Sequence, residues 1–290
     1  MRAGRRSDLD GFAFVSIAKD LAGWVRKDLP PSLFVEFARD PEAFFNEGSA
    51  RVLKDGVKTK VIQATLRNRN GASREVVIKR FHYDSLPRRL GTYGLRSPAQ
   101  RCLEGALLLG RNGFHTPAPL AVFESRNLKQ RGTSYYISEE LRQCHSIQGL
   151  WDTIMPTLST TKRLRLSRSI FRDLARLLSS LHSKRIYHRD LKGSNILIQN
   201  WESEQRKFCF VDLDRVGERR LLRLAKRIEN LLQVKRGAWS VKERIYFYRR
   251  YAELVYPSGE KAKELVRRIL AIHQRSRAQV DGRRYYQRLS

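Results

Sequence analysis

The sequence predicts an α+β fold, strand-rich in its first part and helix-rich in its second, and three observations carry that prediction. Around residues 49–80, β-branched runs are punctuated by Asp55-Gly56 and Asn70-Gly71, dipeptides whose tolerance of positive φ makes them strong hairpin signals. From Thr161 onward, Leu166, Ile170, Leu174, Leu177, Leu178 and Leu181 recur at helical spacing. Hydrophobic residues make up 41% and aromatics 10% of the 290 residues, a composition that can bury a substantial core and that a disordered basic chain would lack.

Taken in order, residues 1–47 read as a helical or irregular N-terminal extension, broken at Pro30-Pro31. Its apolar run from Phe12 to Ala18 follows Asp8 and Asp10 and leads into Lys19-Asp20, which does not fit a secretion signal. Residues 48–140 are expected to form a five-stranded antiparallel sheet with one helix. Segments 49–54, 57–66 and 74–80 supply three consecutive strands, and 120–123 and 134–138 supply the other two. Between them, Ser97 reads as an N-cap and Pro98 as the first residue of a helix that carries Cys102, Leu103, Ala106, Leu107 and Leu109 and stops at Gly113. A basic loop over residues 82–96 precedes this helix, and Glu139-Glu140-Leu141 leaves the sheet as a connector. Residues 141–290 are expected to be mainly helical, with a basic helical tail. Arg165, Arg168, Arg172 and Arg176 make one face of the helix after Thr161 basic. Two short strands follow at 196–198 and 208–212, and a break falls at Pro257-Ser258-Gly259.

No stretch approaches the roughly 18 apolar residues of a bilayer-spanning helix. Three cysteines, Cys102, Cys144 and Cys209, stand far apart and fit neither a disulfide framework nor a zinc site. The formal charge is +29, and from residue 215 to the end 21 Lys+Arg face 7 Asp+Glu, a net +14. Such a field favours an anionic partner, whether nucleic acid, an acidic membrane surface or a phosphorylated or acidic-sugar substrate.

The chemistry is carried by His188-Arg189-Asp190-Leu191-Lys192-Gly193-Ser194-Asn195, which fits the kinase catalytic-loop pattern H-R-D-x-x-x-x-N in full. Asp212 follows 17 residues after Asn195 at the end of a strand-like run. Upstream, Val76-Val77-Ile78-Lys79 closely matches the V-A-I-K strand, and Glu104 lies 25 residues after Lys79 on the expected helix. Phosphoryl transfer needs positioning and charge neutralisation rather than covalent help. Asp190 is placed to orient the acceptor hydroxyl and take its proton, and Lys192 to neutralise the transferring phosphoryl group. Asn195 and Asp212 supply the oxygen ligands that Mg²⁺ prefers. Lys79, fixed by an ion pair with Glu104, is expected to hold the ATP phosphates; Glu140 joins the ATP-binding set from the connector, and His188 braces the loop. The order and spacing predict a two-lobe, protein-kinase-like fold with a reduced, mainly helical second lobe.

Three features depart from regulated protein kinases. There is no G-x-G-x-x-G, only Asp55-Gly56 with Lys54, Lys58 and Lys60 nearby. Asp212-Leu213-Asp214 replaces D-F-G, and no A-P-E motif follows. With Asp212-Leu213-Asp214-Arg215 and the basic, glycine-containing loop before the helix, the chain resembles the bacterial lipopolysaccharide core kinases of the Kdo/WaaP group. That resemblance implies ATP- and Mg²⁺-dependent phosphorylation of a Kdo or heptose hydroxyl on an acidic glycolipid, the lipid A–core, by a peripheral protein on the cytoplasmic side of the bacterial inner membrane. It also implies acceptor contacts from basic residues, foremost Arg88, Arg89, Arg96 and Arg215, with Arg101, Arg219 and Arg220 beside them. The partners expected are the glycolipid and an anionic membrane surface, with neither a nucleic acid nor an obligate protein partner. Two other readings stay open. One is a minimal, RIO-like protein Ser/Thr kinase, which Asp190-Leu191-Lys192 suits. The other is a non-catalytic binding module on the kinase fold, against which the intact Lys79, Asp190, Asn195 and Asp212 argue.

Overall fold

In the computed structural model, which describes residues 9–286 apart from 47, 49, 69–70, 72, 83–95, 127–131 and 235–238, the chain divides into two compact units. The first comprises Met1–Arg142 with Asp212–Arg215, and the second Gln143–Val211 with Val216–Ser290.

The first unit is built on one antiparallel sheet. Its strands are β1 (Phe12–Ala18), β2 (Leu21–Arg26), β3 (Arg51–Gly56), β4 (Thr59–Arg67), β5 (Ser73–Phe81), β6 (Pro119–Ser125) and β7 (Ser134–Glu139), in the order β1-β2-β6-β7-β5-β4-β3. The sheet therefore has seven strands among the described residues, not five. The two additional strands come from the first 47 residues, expected as a helical or irregular extension, which instead open with a hairpin that pairs through β2 with β6. Leu21 to Val25 are buried without interruption, so this strand carries no apolar–polar alternation to read in the sequence. Gly23 permits the β2–β6 approach: a Cβ there would stand 1.8 Å from the Val122 carbonyl oxygen. Past Pro30-Pro31, α1 (Val35–Arg39) packs Phe37 against Tyr135 and Phe44 on one face of the sheet, and Phe34 packs against Phe123. These rings join Ile62, Leu66, Val76, Ile78 and Ile137 in the core.

The middle strands follow the sequence. β3, β4 and β5 are consecutive and antiparallel, although Gly56 pairs with Thr59, so the turn sits at Val57-Lys58, two residues beyond Asp55-Gly56. α2 (Pro98–Arg111) begins as expected, with the Ser97 side chain accepting from the Gln100 N–H and Pro98 in the first turn. Gly113, at φ +77°, ends it in the left-handed conformation that a glycine adopts without strain.

The second unit is mainly helical. Its long helix α3 (Thr160–Ser183) buries Leu166, Ile170, Leu174, Leu178 and Leu181 and exposes Arg165, Arg168, Arg172 and Arg176, the amphipathic pattern read from the sequence. α4 (Leu224–Val234), α5 (Val241–Val255) and α6 (Gly259–Tyr286) follow. Ser240 and Glu243 form a capping box at the start of α5. Tilted and edge-on rings of Trp151, Phe171, Trp239 and Phe247 pack together beside α3 and α5, with Phe171 and Trp239 centred 4.5 Å apart. Short strands complete the unit. β8 (Cys144–Ser146), β10 (Ile196–Gln199) and β11 (Lys207–Phe210) form one small sheet, and β9 (Ile186–His188) pairs with β12 (Val216–Glu218).

Candidate active site

Each unit presents its own group of chemically active side chains. In the first, the period-two alternation of β5 turns Val76 and Ile78 into the core and Lys79 to the opposite face. The Lys79 ammonium donates to Asp212 Oδ1 and lies 3.6 Å from Asp214 Oδ1, with the Phe81 ring 4.6 Å away. Burial disfavours its charge, but the carboxylates of Asp212 and Asp214 outweigh that penalty and its pKa is raised. Burial also works to raise the Asp212 carboxyl; the charge and hydrogen bond of Lys79 prevail and hold it down at about 2. Asp214 moves the other way, raised by burial and by the negative charge of Asp212 beside it.

Asp212 lies two residues beyond the end of β11, at φ +63°, a left-handed conformation that Asp tolerates better than most residues. The turn Leu213–Arg215 continues from it, with Leu213 buried and the Arg101 guanidinium on α2 donating to the Asp214 carbonyl at 3.3 Å. Asp214 is the site residue to which the sequence reading gave no role, although its place two residues after Asp212 was legible. Once the turn forms, both carboxylates share one ammonium. Hard oxygen donors around a cation suit Mg²⁺, so Asp212 and Asp214 fit a magnesium site by chemistry.

Two expected partnerships in this unit differ. The Lys79–Glu104 ion pair is not formed: the lysine is taken by Asp212 and Asp214, while Glu104 accepts from Arg96 at 2.8 Å and Gln100 at 3.4 Å. Glu104 sits one helical turn above Gln100 on α2, with Arg96 just before the N-cap, so these local partners are within reach. Glu140 accepts from Gln63 Nε2 at 2.8 Å and lies 3.5 Å from Arg142. Among the expected acceptor arginines, Arg96 is tied to Glu104, and the exposed Arg215 stands 3.7 Å from Asp214. Arg88 and Arg89 lie outside the described residues.

In the second unit, β9 delivers the chain into the catalytic-loop motif. Lys192 Nζ lies 2.9 Å from Asp190 Oδ2, so a carboxylate and an ammonium stand side by side. Asn195 Nδ2 donates to the Asp190 carbonyl at 2.8 Å, and its backbone N–H to the Lys192 carbonyl at 2.9 Å. His188 accepts the Asp190 N–H at Nδ1 (3.3 Å), and its Nε2, 3.1 Å from the Val211 carbonyl, is the donor to it. The histidine is thus in its Nε2–H tautomer and ties the loop to the strand ahead of Asp212, as the bracing role requires. The Val211 N–H returns a bond to the Asn195 carbonyl at 3.0 Å. Asp190, Lys192 and Asn195 are therefore brought together by one loop, and Lys79, Asp212 and Asp214 by one sheet face and turn. Among the described residues no cluster of three or more His, Cys, Asp or Glu side chains forms a metal site.

The family model for the lipopolysaccharide kinase (Kdo/WaaP) family matches residues 92–251, more than half of the chain. No curated protein matches the sequence. The fold is similar to a solved structure of WaaP in complex with acyl carrier protein, with a TM-score of 0.50 and 18% identity over 79% of this chain and 93% of that one.

Proposed function

As the chain belongs to the lipopolysaccharide kinase (Kdo/WaaP) family, we propose that it uses ATP to phosphorylate a Kdo or heptose hydroxyl of the lipopolysaccharide inner core. The observation that carries this reading is the catalytic loop itself, in which Asp190, Lys192 and Asn195 keep the kinase residue types and are held together by hydrogen bonds. In the first unit, Lys79 holds the nucleotide phosphates once they replace its present carboxylate partners, and Asp212 with Asp214 offers oxygens to Mg²⁺. In the second, Asp190 orients the acceptor hydroxyl and accepts its proton, and Lys192 lowers the cost of charge on the transferred group. Asn195 commits its Nδ2 to the Asp190 carbonyl, and its Oδ1 would be the oxygen it offers to the metal. Mg²⁺, when bound, neutralises and orients the phosphates.

The +29 balance suits an acidic glycolipid and a negatively charged membrane face, and supports a peripheral position on the cytoplasmic side of the inner membrane as part of the same proposal. The neighbouring WaaP structure is a complex with acyl carrier protein, so a protein partner stands as a further proposal beside the lipid. A minimal protein Ser/Thr kinase is the second reading, favoured by Asp190-Leu191-Lys192. Mass spectrometry of the core oligosaccharide from a strain lacking the gene decides between them. Loss of one phosphate from an inner-core sugar is expected; an unchanged core would favour the protein-kinase reading.

A further inference from the structure

Two amide side chains, one helical turn apart on α4, meet three backbone groups of the catalytic loop. Asn230 Nδ2 donates to the His188 carbonyl at 2.8 Å. Gln233 Nε2 donates to the Arg189 carbonyl at 3.0 Å, while its Oε1 accepts the Leu191 N–H at 2.9 Å. The three groups flank Asp190 on both sides. His188 ends β9, and the Arg189 and Leu191 groups lie beyond it with no ladder of their own, so the two amides take the place of a strand or helix partner. Behind Asn230 stands a buried relay. His182 Nε2 lies 3.3 Å from Asn230 Oδ1, and His182 Nδ1 lies 2.7 Å from the Tyr251 hydroxyl. Because Asn230 spends its Nδ2 as a donor, its Oδ1 accepts. His182 therefore carries its proton on Nε2 and accepts from Tyr251 at Nδ1. Donors then point one way, from Tyr251 on α5 through His182 on α3 to Asn230 on α4 and on to the loop. The loop is also pressed against the end of α4: a Cβ at Gly193 would stand 3.0 Å from the Val234 carbonyl oxygen.

We propose that Asn230 and Gln233 are positioning residues for phosphoryl transfer, clamping the backbone on either side of Asp190 so that its carboxylate is held in one orientation toward the acceptor hydroxyl. The inference rests on the kinase reading above and adds to it two residues that lie outside every motif used to recognise it. Catalytic groups displaced by about 1 Å lose on the order of a hundredfold in rate, which is the scale on which such a clamp acts.

The test uses the full-length protein with Gln233→Ala and Gln233→Glu, the second keeping the acceptor for Leu191 and losing the donor to Arg189. Two quantities are read: amide hydrogen exchange through residues 186–195, and steady-state kinetics with lipid A–core and ATP-Mg²⁺. For Gln233→Ala, faster exchange confined to the loop is expected, with kcat lowered roughly ten- to a hundredfold and KM for ATP within about twofold of wild type. Gln233→Glu should keep the Leu191 N–H protected and recover part of kcat. Wild-type exchange and kcat in Gln233→Ala would overturn the proposal, and so would a loss of kcat that comes with faster exchange throughout the second unit, because that is a folding defect. If the wild-type protein leaves the glycolipid unlabelled, it is the functional reading that fails. The exchange arm still decides the clamp, loop-confined acceleration supporting it and unchanged exchange overturning it.

Discussion

Lys79 keeps its charge in a buried position because two carboxylates face it, and the pair they form is unequal. Asp212 is held ionised at about 2 and Asp214 is raised by burial and by its neighbour. If both acids serve the metal, Asp214→Asn should raise the Mg²⁺ concentration for half-maximal turnover by roughly tenfold or more, which a magnesium titration of initial rates measures. An unchanged half-maximal concentration would leave Asp212 as the acid that matters. His182 has a different sensitivity. Burial first, with the charge of Arg227 adding to it, lowers its pKa from 6.5 to about 4, while the hydrogen bond with Asn230 opposes the shift. Below pH 6.5 the unfolded chain takes up a proton that the native protein refuses until about pH 4, so stability is full above that window and falls through it by up to about 3 kcal/mol. Urea denaturation from pH 7 to 4 should show a shallower loss for His182→Gln than for wild type; equal slopes would mean the histidine is not protected. Of these residues, the sequence made the contiguous loop legible, because His188, Asp190, Lys192 and Asn195 carry a fixed spacing. The partner of Lys79 was not legible. Spacing and a helical position point to Glu104, and no spacing rule shows that a left-handed Asp212 brings two acids to the lysine instead.

At the level of elements, local chemistry spoke clearly wherever it was complete. Ser97-Pro98 and Gly113 mark both ends of α2, and apolar periodicity gives the buried face of α3. The β1–β2 hairpin leaves little trace in the sequence because its turn, Lys19-Asp20, contains neither Gly nor Asn, and because β2 is buried and does not alternate. Its registration on β6 depends on Gly23. Gly23→Ala places a Cβ against the Val122 backbone, which cannot rotate away as a side chain would, so a loss of about 3 kcal/mol or more is expected in urea denaturation. A variant of wild-type stability would mean that the hairpin edge yields freely. The clamp from α4 belongs to the same scale. Asn230 and Gln233 are ordinary helical polar residues in sequence, and only the packing of α4 on the loop gives them a role.

For the molecule as a whole, charge sets the expected partner. Among the described residues no helix is long and apolar enough to cross a membrane, and the chain carries +29. Binding to vesicles with anionic lipids should therefore be strong at low salt and weaken as the Debye length shortens to about 8 Å near physiological ionic strength. Co-sedimentation across a salt series measures this, and salt-insensitive binding would show that the basic residues are not the anchor. The family and the two ordered groups of side chains together point to phosphoryl transfer onto a core sugar. The most direct test incubates the purified protein with lipid A–core, Mg²⁺ and ATP labelled in its terminal phosphate. Label should pass to the glycolipid with the wild-type protein and be abolished by Asp190→Ala with the fold intact. No transfer to the glycolipid by the wild type, or transfer that survives Asp190→Ala at a near wild-type rate, would contradict the assignment.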